Sequence, residues 1–296
     1  MSTSAPPVPG PRRAPMPPPG APVGPARRTV RYWASRVVVW MLVRALFRVE
    51  LRGADRLPAG PAVYCFNHLN WIDPFALMAV LPIRPRLFFF GPREEDMGRG
   101  LRNRLMVWSG AAIPYKPGKN DLLEATRRTS AVFRAGGVLA IAGEGRIHAR
   151  DDELLPLNEG AAYFALRSGV PLVPVAIRGT SWLRFGRRIE VAVGEPLLSA
   201  GRPTRESVET MTEAAWQALH ALVADAPILA RPGRFGQWMT ELFNDWPEGS
   251  REATLAATAT WHAAGADRAA RGALSSELRP FDGTPVAAPG APPTPV

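Results

Sequence analysis

The chain has 296 residues, 46% of them hydrophobic, and a net charge of +10 at pH 7 with a pI of about 10.9. That length and apolar share suit one good core rather than two, and the positive balance, almost all of it arginine, favours anionic partners: phospholipid headgroups, nucleic acid or an acidic carrier protein. A single cysteine excludes an intrachain disulfide and fits a reducing compartment, while the lack of a metal-ligand cluster or a Gly-x-Ser-x-Gly elbow argues against a metalloenzyme or an ordinary serine hydrolase.

Residues 1–29 are expected to be a Pro-rich extended tail, with ten prolines in the first 28 positions, and no apolar stretch after Arg12-Arg13 marks a signal peptide. Residues 30–49 read as an amphipathic helix, with Arg36, Arg44 and Arg48 toward one side and Trp33, Trp40 and Val43 toward another. Its longest charge-free run, 37–43, is far short of the ~20 residues a bilayer crossing needs. The segment fits either a helix lying at a membrane surface or one packed on the domain.

Strand and helix signals then alternate. Ala62–Phe66 reads as a buried strand, Asp73 and Pro74 as the N-cap and first residue of a helix, Leu87–Phe90 as a strand, Leu101–Trp108 as a short helix and Ala111–Ile113 as a strand. Asp121–Arg134 (helix), Val138–Ala142 (strand), Gly160–Ser168 (helix), Leu172–Ile177 and Ile189–Val193 (strands) and Arg205–Ala224 (helix) complete the series. This pattern predicts one α/β domain over residues 50–230, with a mostly parallel central sheet flanked by helices. Pro174, inside an apolar run, suggests a bulge or an edge position. Residues 231–275 form a helix-capable extension whose Phe235, Trp238, Leu242, Phe243 and Trp246 suit core packing, a membrane contact or a lid, and 276–296 is a second Pro-rich tail.

The chemistry concentrates in Asn67-His68-Leu69-Asn70-Trp71-Ile72-Asp73-Pro74. His68 leaves a strand toward a helix, at the end of the sheet where α/β sites lie. Asp73 is close enough in sequence to fix one imidazole nitrogen and leave the other to accept a proton from a hydroxyl. By itself the pair also fits a helix cap beside an ordinary loop histidine. Cys65 falls inside the apolar run and reads as buried filler rather than a nucleophile. The aromatics sit mostly in apolar runs, not interleaved with basic residues, which argues against nucleic acid.

Three further segments follow in order. They are Gly110-Ala-Ala-Ile113-Pro114-Tyr115-Lys116, Gly143-Glu144-Gly145-Arg146-Ile147 and Val173-Pro174-Val175-Ala176-Ile177. With Asn67-His68…Asp73 they resemble the four sequence blocks of the glycerolipid (lysophospholipid) acyltransferases, a resemblance that covers roughly residues 30 to 200. It implies transfer of a fatty acyl group from a coenzyme A or acyl-carrier-protein thioester to a lysophospholipid hydroxyl, with no bound cofactor, at the cytoplasmic face of the cell membrane; the residues also leave open acyl transfer to a non-phosphate acceptor on the same scaffold, or a non-catalytic basic membrane-surface module. His68 would be the base and Asp73 its orienter. Glu144, Gly145 and Arg146 would meet the lysophospholipid head and its phosphate. In the second block the family's arginine is replaced by Pro117, so Lys116 or Lys119, the chain's two lysines, would take the phosphate, although Lys-Pro-Gly-Lys-Asn is also a turn sequence in its own right.

Overall fold

A computed structural model describes residues 25–91, 105–106, 108–113, 119–199 and 201–244. Helix α1 (Pro25–Leu46) leads into β1 (Arg48–Arg52), and β2 (Val63–Phe66) follows a short 3-10 turn. Next come α2 (Asp73–Val80), β3 (Leu87–Phe90), β4 (Ala112–Ile113), α3 (Lys119–Arg134) and β5 (Val138–Ala142). The series ends with α4 (Gly160–Ser168), β6 (Leu172–Arg178), β7 (Arg188–Val193), α5 (Arg205–Val223) and α6 (Arg234–Asn244). The strands make one seven-stranded sheet in the order β1-β7-β6-β2-β5-β3-β4. Every pairing is parallel except β6 with β7, so the expected mostly parallel α/β architecture is the observed one.

Strand periodicity divides the apolar side chains between the two faces of the sheet. Tyr64 and Phe66 of β2, Val138 and Ala140 of β5 and Val173, Val175 and Ile177 of β6 point into one cluster, covered by α1, α2 and Met239 of α6. Val63, Cys65, Leu139, Ile141, Leu172 and Ala176 point into the other, covered by α3, α4 and α5. One sheet thus supports two apolar layers. In α5 the stripe Val208, Met211, Ala215 and Leu219 is buried as its spacing requires.

Three expectations need correction. First, the amphipathic helix begins at Pro25, inside the presumed tail, and gives way to a strand at Arg48. The alternation in Arg-Val-Glu-Leu-Arg buries Val49 and part of Leu51 while the charges stay out, which is an edge-strand pattern. Second, the faces of that helix are not as expected. Arg36 and Val43 are buried, with Arg36 bonded to the Tyr32 hydroxyl and to the carbonyls of Leu81 and Pro82, while Val37, Val38, Trp40, Met41 and Leu42 are exposed. Three acceptors let a guanidinium lie inside, which side-chain periodicity alone cannot register. Third, Pro174 lies in an interior strand and not at an edge, although the expected bulge is there: Pro174 faces Gly194 while Leu172 bridges Leu197, one residue out of register. It sits opposite Gly194, just past the last β6 to β7 partner pair, and its carbonyl accepts the Gly194 N–H at 2.8 Å, so the missing donor forfeits only one terminal ladder bond. The expected helix over 101–108 lies mostly outside the described residues, as do Trp246 and the tails.

Candidate active site

Parallel pairing sets the site. Phe66 at the end of β2 pairs with Ala142 at the end of β5, and the ladder is continued by the Gly143 N–H to the Phe66 carbonyl at 2.9 Å. His68 and Glu144 each stand two residues beyond that pair and meet on the C-terminal rim of the sheet. The His68 N–H donates to Glu144 Oε2 at 2.7 Å, and the His148 N–H donates to the His68 carbonyl at 3.0 Å. On the other side of β2, the Asn67 amide makes two bonds to the backbone of Ile177 in β6, at 2.7 and 2.9 Å, which pins the start of the loop to a third strand.

The loop then closes on Asp73. Its Oδ2 lies 2.9 Å from His68 Nδ1 and also accepts the N–H groups of Leu69 (2.7 Å) and Asn70 (2.9 Å). A carboxylate only accepts, so Nδ1 carries the proton and the tautomer leaves Nε2 with a lone pair. Asp73 is wholly buried, whereas the His68 side chain keeps 12% of its surface open. The ring is flanked edge-on by Phe66 and Trp71, and among the described residues Nε2 has no hydrogen-bond partner. Asp73 is therefore the first residue of α2 and not its N-cap. Ile72 occupies the cap in helical conformation, and the carboxylate is turned back to the preceding loop. The backbone donors there are mostly committed: Asp73 N–H to Asn70, Trp71 N–H to Asn244 and Ala76 N–H to Ile72, while Pro74 has none.

Glu144, expected at the lysophospholipid head, is 6% exposed and has both oxygens engaged by the protein. Oε2 takes the His68 N–H. Oε1 takes the Leu155 N–H at 2.9 Å and lies 2.9 Å from Nε2 of His148. That contact is at ion-pair distance but off the line of a good hydrogen bond, so the attraction is chiefly Coulombic. Burial pushes the His148 imidazole toward neutrality, yet the charge of Glu144, reinforced by Glu153 and Asp73, outweighs it and the net shift is upward. His148 was invisible in the spacing of the sequence. The available signal was its place four residues after Glu144, but it becomes a partner only through a turn that is not helical.

Gly145 makes that turn with φ +67°, and a Cβ there would come within 2.3 Å of the Asn158 amide. Arg146 follows with its side chain exposed and, among the described residues, no carboxylate partner. Farther along the same loop, the buried Asp151 carboxyl is held by the Gly179 N–H and the Ser181 hydroxyl, tying the loop to the end of β6. Burial raises its pKa against the pull of those two donors. Cys65 is fully buried beneath the rim, and burial, with Glu144 nearby, pushes its thiol up to about 12, which rules it out as a nucleophile. Lys116 and the side chain of Lys119 lie outside the described residues. Among the described residues no group of three His, Cys, Asp or Glu side chains could hold a metal ion, and no helix is long and apolar enough to cross a membrane. The structure thus brings His68, Asp73 and Glu144 into direct contact and sets Arg146 two residues from Glu144 on the same rim. It adds Asn67, His148, Trp71 and Asn244 as supports.

Parts of the chain are similar to known proteins. The family model described as Acyltransferase matches residues 48–178, a span holding β1 through β6 and every residue of the rim. A 1-acyl-sn-glycerol-3-phosphate acyltransferase of Pseudomonas aeruginosa is 24% identical over 215 residues, covering 66% of this chain and 79% of that protein. The chloroplastic enzyme BAT2 of Brassica napus, of the same description, is 20% identical over 156 residues, 52% of this chain and 44% of its own length. The chain spans less than half the length of such chloroplastic relatives. Among solved structures, the 1-acyl-sn-glycerophosphate acyltransferase PlsC of Thermotoga maritima is similar with a TM-score of 0.49 and 16% identity, covering 69% of this chain and 85% of that one.

Proposed function

We propose that this chain is a glycerolipid acyltransferase, as the Acyltransferase match over residues 48–178 and the similarity to 1-acyl-sn-glycerol-3-phosphate acyltransferases support, and that it moves a fatty acyl group from a thioester of coenzyme A or acyl carrier protein to the free hydroxyl of a lysophosphatidate-like acceptor. The observation that carries this reading is the His68 to Asp73 dyad, with Nδ1 fixed at 2.9 Å and Nε2 unengaged on the open rim. The acceptor hydroxyl gives its proton to Nε2 as its oxygen attacks the thioester carbonyl carbon. Asp73 stabilises the imidazolium so formed. When the tetrahedral intermediate collapses, the carbon-sulfur bond breaks and the sulfur leaves as thiol, taking the proton back from Nε2.

The remaining rim residues fit supporting parts. Arg146, exposed and free of a carboxylate partner among the described residues, is suited to an acceptor phosphate, which positions the hydroxyl and removes entropy from the barrier. Lys116 or Lys119 would add a second positive charge. Glu144 serves the head group at one remove, by holding the His68 backbone, and Gly145 permits the turn that carries Arg146. Peripheral attachment at the cytoplasmic face of the membrane suits an acceptor with its acyl chain in the bilayer, and the outward Val37, Val38, Trp40, Met41 and Leu42 of α1 supply apolar surface for it.

The test is thiol release from palmitoyl-coenzyme A with lysophosphatidate and with the dephosphorylated acceptor. His68→Ala abolishes turnover while sparing vesicle binding. Arg146→Gln raises the KM for lysophosphatidate about tenfold, the loss of one charge-assisted contact, and leaves the phosphate-free acceptor unaffected. Full turnover by His68→Ala would remove the proposed base, and equal effects on both acceptors would remove the phosphate.

A further inference from the structure

Helix α6 lies beyond the matched acyltransferase span and has two distinct sides. Its inner side is built for one seat. Gly236 lets the helix approach the Leu183 carbonyl, where a Cβ would come within 2.7 Å. Thr240 accepts the Leu183 N–H at 2.8 Å, Met239 enters the core, and Asn244 accepts the Trp71 N–H at 3.1 Å. The last turn of α6 therefore ends on the loop that carries His68.

The outer side is apolar and open. Phe235, Trp238 and Leu242, at steps of three and four, are 62%, 54% and 58% exposed, and the first two rings sit 5.5 Å apart. The turn at 183–187, tied to α6 through Leu183, carries a further exposed ring. Its Phe185 is 69% exposed, and its Gly186 N–H bonds the Leu46 carbonyl at the end of α1, so the turn bridges the two helices. Arg184 and Arg234, each next in the chain to one of these phenylalanines, are exposed, as is Arg231, which donates to Gln237, and Glu241 is the one acid of α6. Large apolar groups including a tryptophan, rimmed by arginines, match a bilayer interface, where rings settle at headgroup depth and guanidinium groups meet lipid phosphates.

We propose that α6, with the Arg184-Phe185 turn, is a second membrane-docking surface that seats on an anionic phospholipid bilayer and holds the mouth of the catalytic loop against it. The proposal extends the acyltransferase reading by naming where the acceptor's surface meets the protein. The occupant is set by the arginine rim, since a lipid surface supplies phosphates around an apolar layer, and the net charge of +10 points the same way.

The experiment uses the full chain carrying Trp238→Cys, labelled with a polarity-sensitive thiol dye. Cys65 does not compete, because it is fully buried with its pKa pushed up to about 12. Vesicles of phosphatidylcholine with one quarter phosphatidylglycerol shift the dye emission to the blue, and pure phosphatidylcholine does so far less. In parallel, Phe235→Ser/Trp238→Ser/Leu242→Ser lowers the partition coefficient onto the mixed vesicles at least tenfold, while turnover of a short-chain lysophosphatidate dispersed below its micelle concentration stays at the parent level. An unshifted dye together with unchanged partitioning overturns the proposal. So does a parent dimer that the triple variant converts to monomer with vesicle binding intact, which would make this face a contact between copies. If the parent turns over no acceptor at all, the acyltransferase reading fails, and the dye and partition arms still decide the docking surface.

Discussion

Replacing Asp73 with Asn isolates the charge from the geometry of the dyad. The amide oxygen can take the place of Oδ2, keep the Leu69 and Asn70 N–H bonds at 2.7 and 2.9 Å and still fix the Nδ1–H tautomer. What disappears is a full negative charge, its centre about 4 Å from that of the imidazolium formed during attack. At an effective dielectric constant of about 20, that pair is worth ~4 kcal/mol. At 1.36 kcal/mol per decade, the expected loss is about 10³-fold in kcat, with the KM for the thioester nearly unchanged. The new NH₂ falls where Asp73 Oδ1 is buried without a partner, adding a stability cost of about 1–3 kcal/mol from an unmet donor. Thiol release followed with a chromogenic disulfide measures the rate, and buried Cys65 gives little background. Combined with His68→Ala, the second substitution should cost almost nothing further, because the two act as a unit. A variant within tenfold of the parent kcat would refute imidazolium stabilisation by Asp73.

Other substitutions probe the supports. Glu144→Gln cannot serve both the His68 and Leu155 N–H groups, which reach different oxygens, and it strips His148 of its counter-charge. The expected cost is about 3 kcal/mol, a fall in Tm of roughly 6–12 °C by calorimetry, and an unchanged Tm would show that neither bond matters. The raised His148 pKa gives stability that is complete below the unfolded value of about 6.5 and is lost as pH rises through the folded value. Urea titrations from pH 5 to 9 should therefore show the stability gap between parent and His148→Gln shrinking toward high pH, and a gap that widens contradicts the ion pair. Asp151, also raised, is common to both proteins and cancels in the difference. Asn244→Ala leaves the Trp71 N–H without its acceptor and should slow turnover severalfold at unchanged thioester KM. Asn244→Asp, which keeps an acceptor, should restore it, and equal activity of all three proteins would detach α6 from the catalytic loop.

Much of this was legible in the chain. Alternating apolar runs and helical stripes are local properties, so the order of strands and helices, the parallel sheet and the burial of Cys65 follow from spacing and side-chain chemistry. His68 and Asp73 are five residues apart, and their contact needs only one tight loop. The misread or missed parts depend on contacts that spacing along the chain does not set. Arg36 is internal because Leu81 and Pro82 offer it carbonyls, and Pro174 sits in an interior strand because its missing donor falls at the end of a ladder. His148 matters because the strand-end turn folds it under Glu144, and Asn244 because α6 returns to Trp71 across 173 positions. Local periodicity fixes which face of an element is apolar. Only the packed structure decides which polar group finds a partner inside, since that depends on the distance to atoms the sequence does not place side by side.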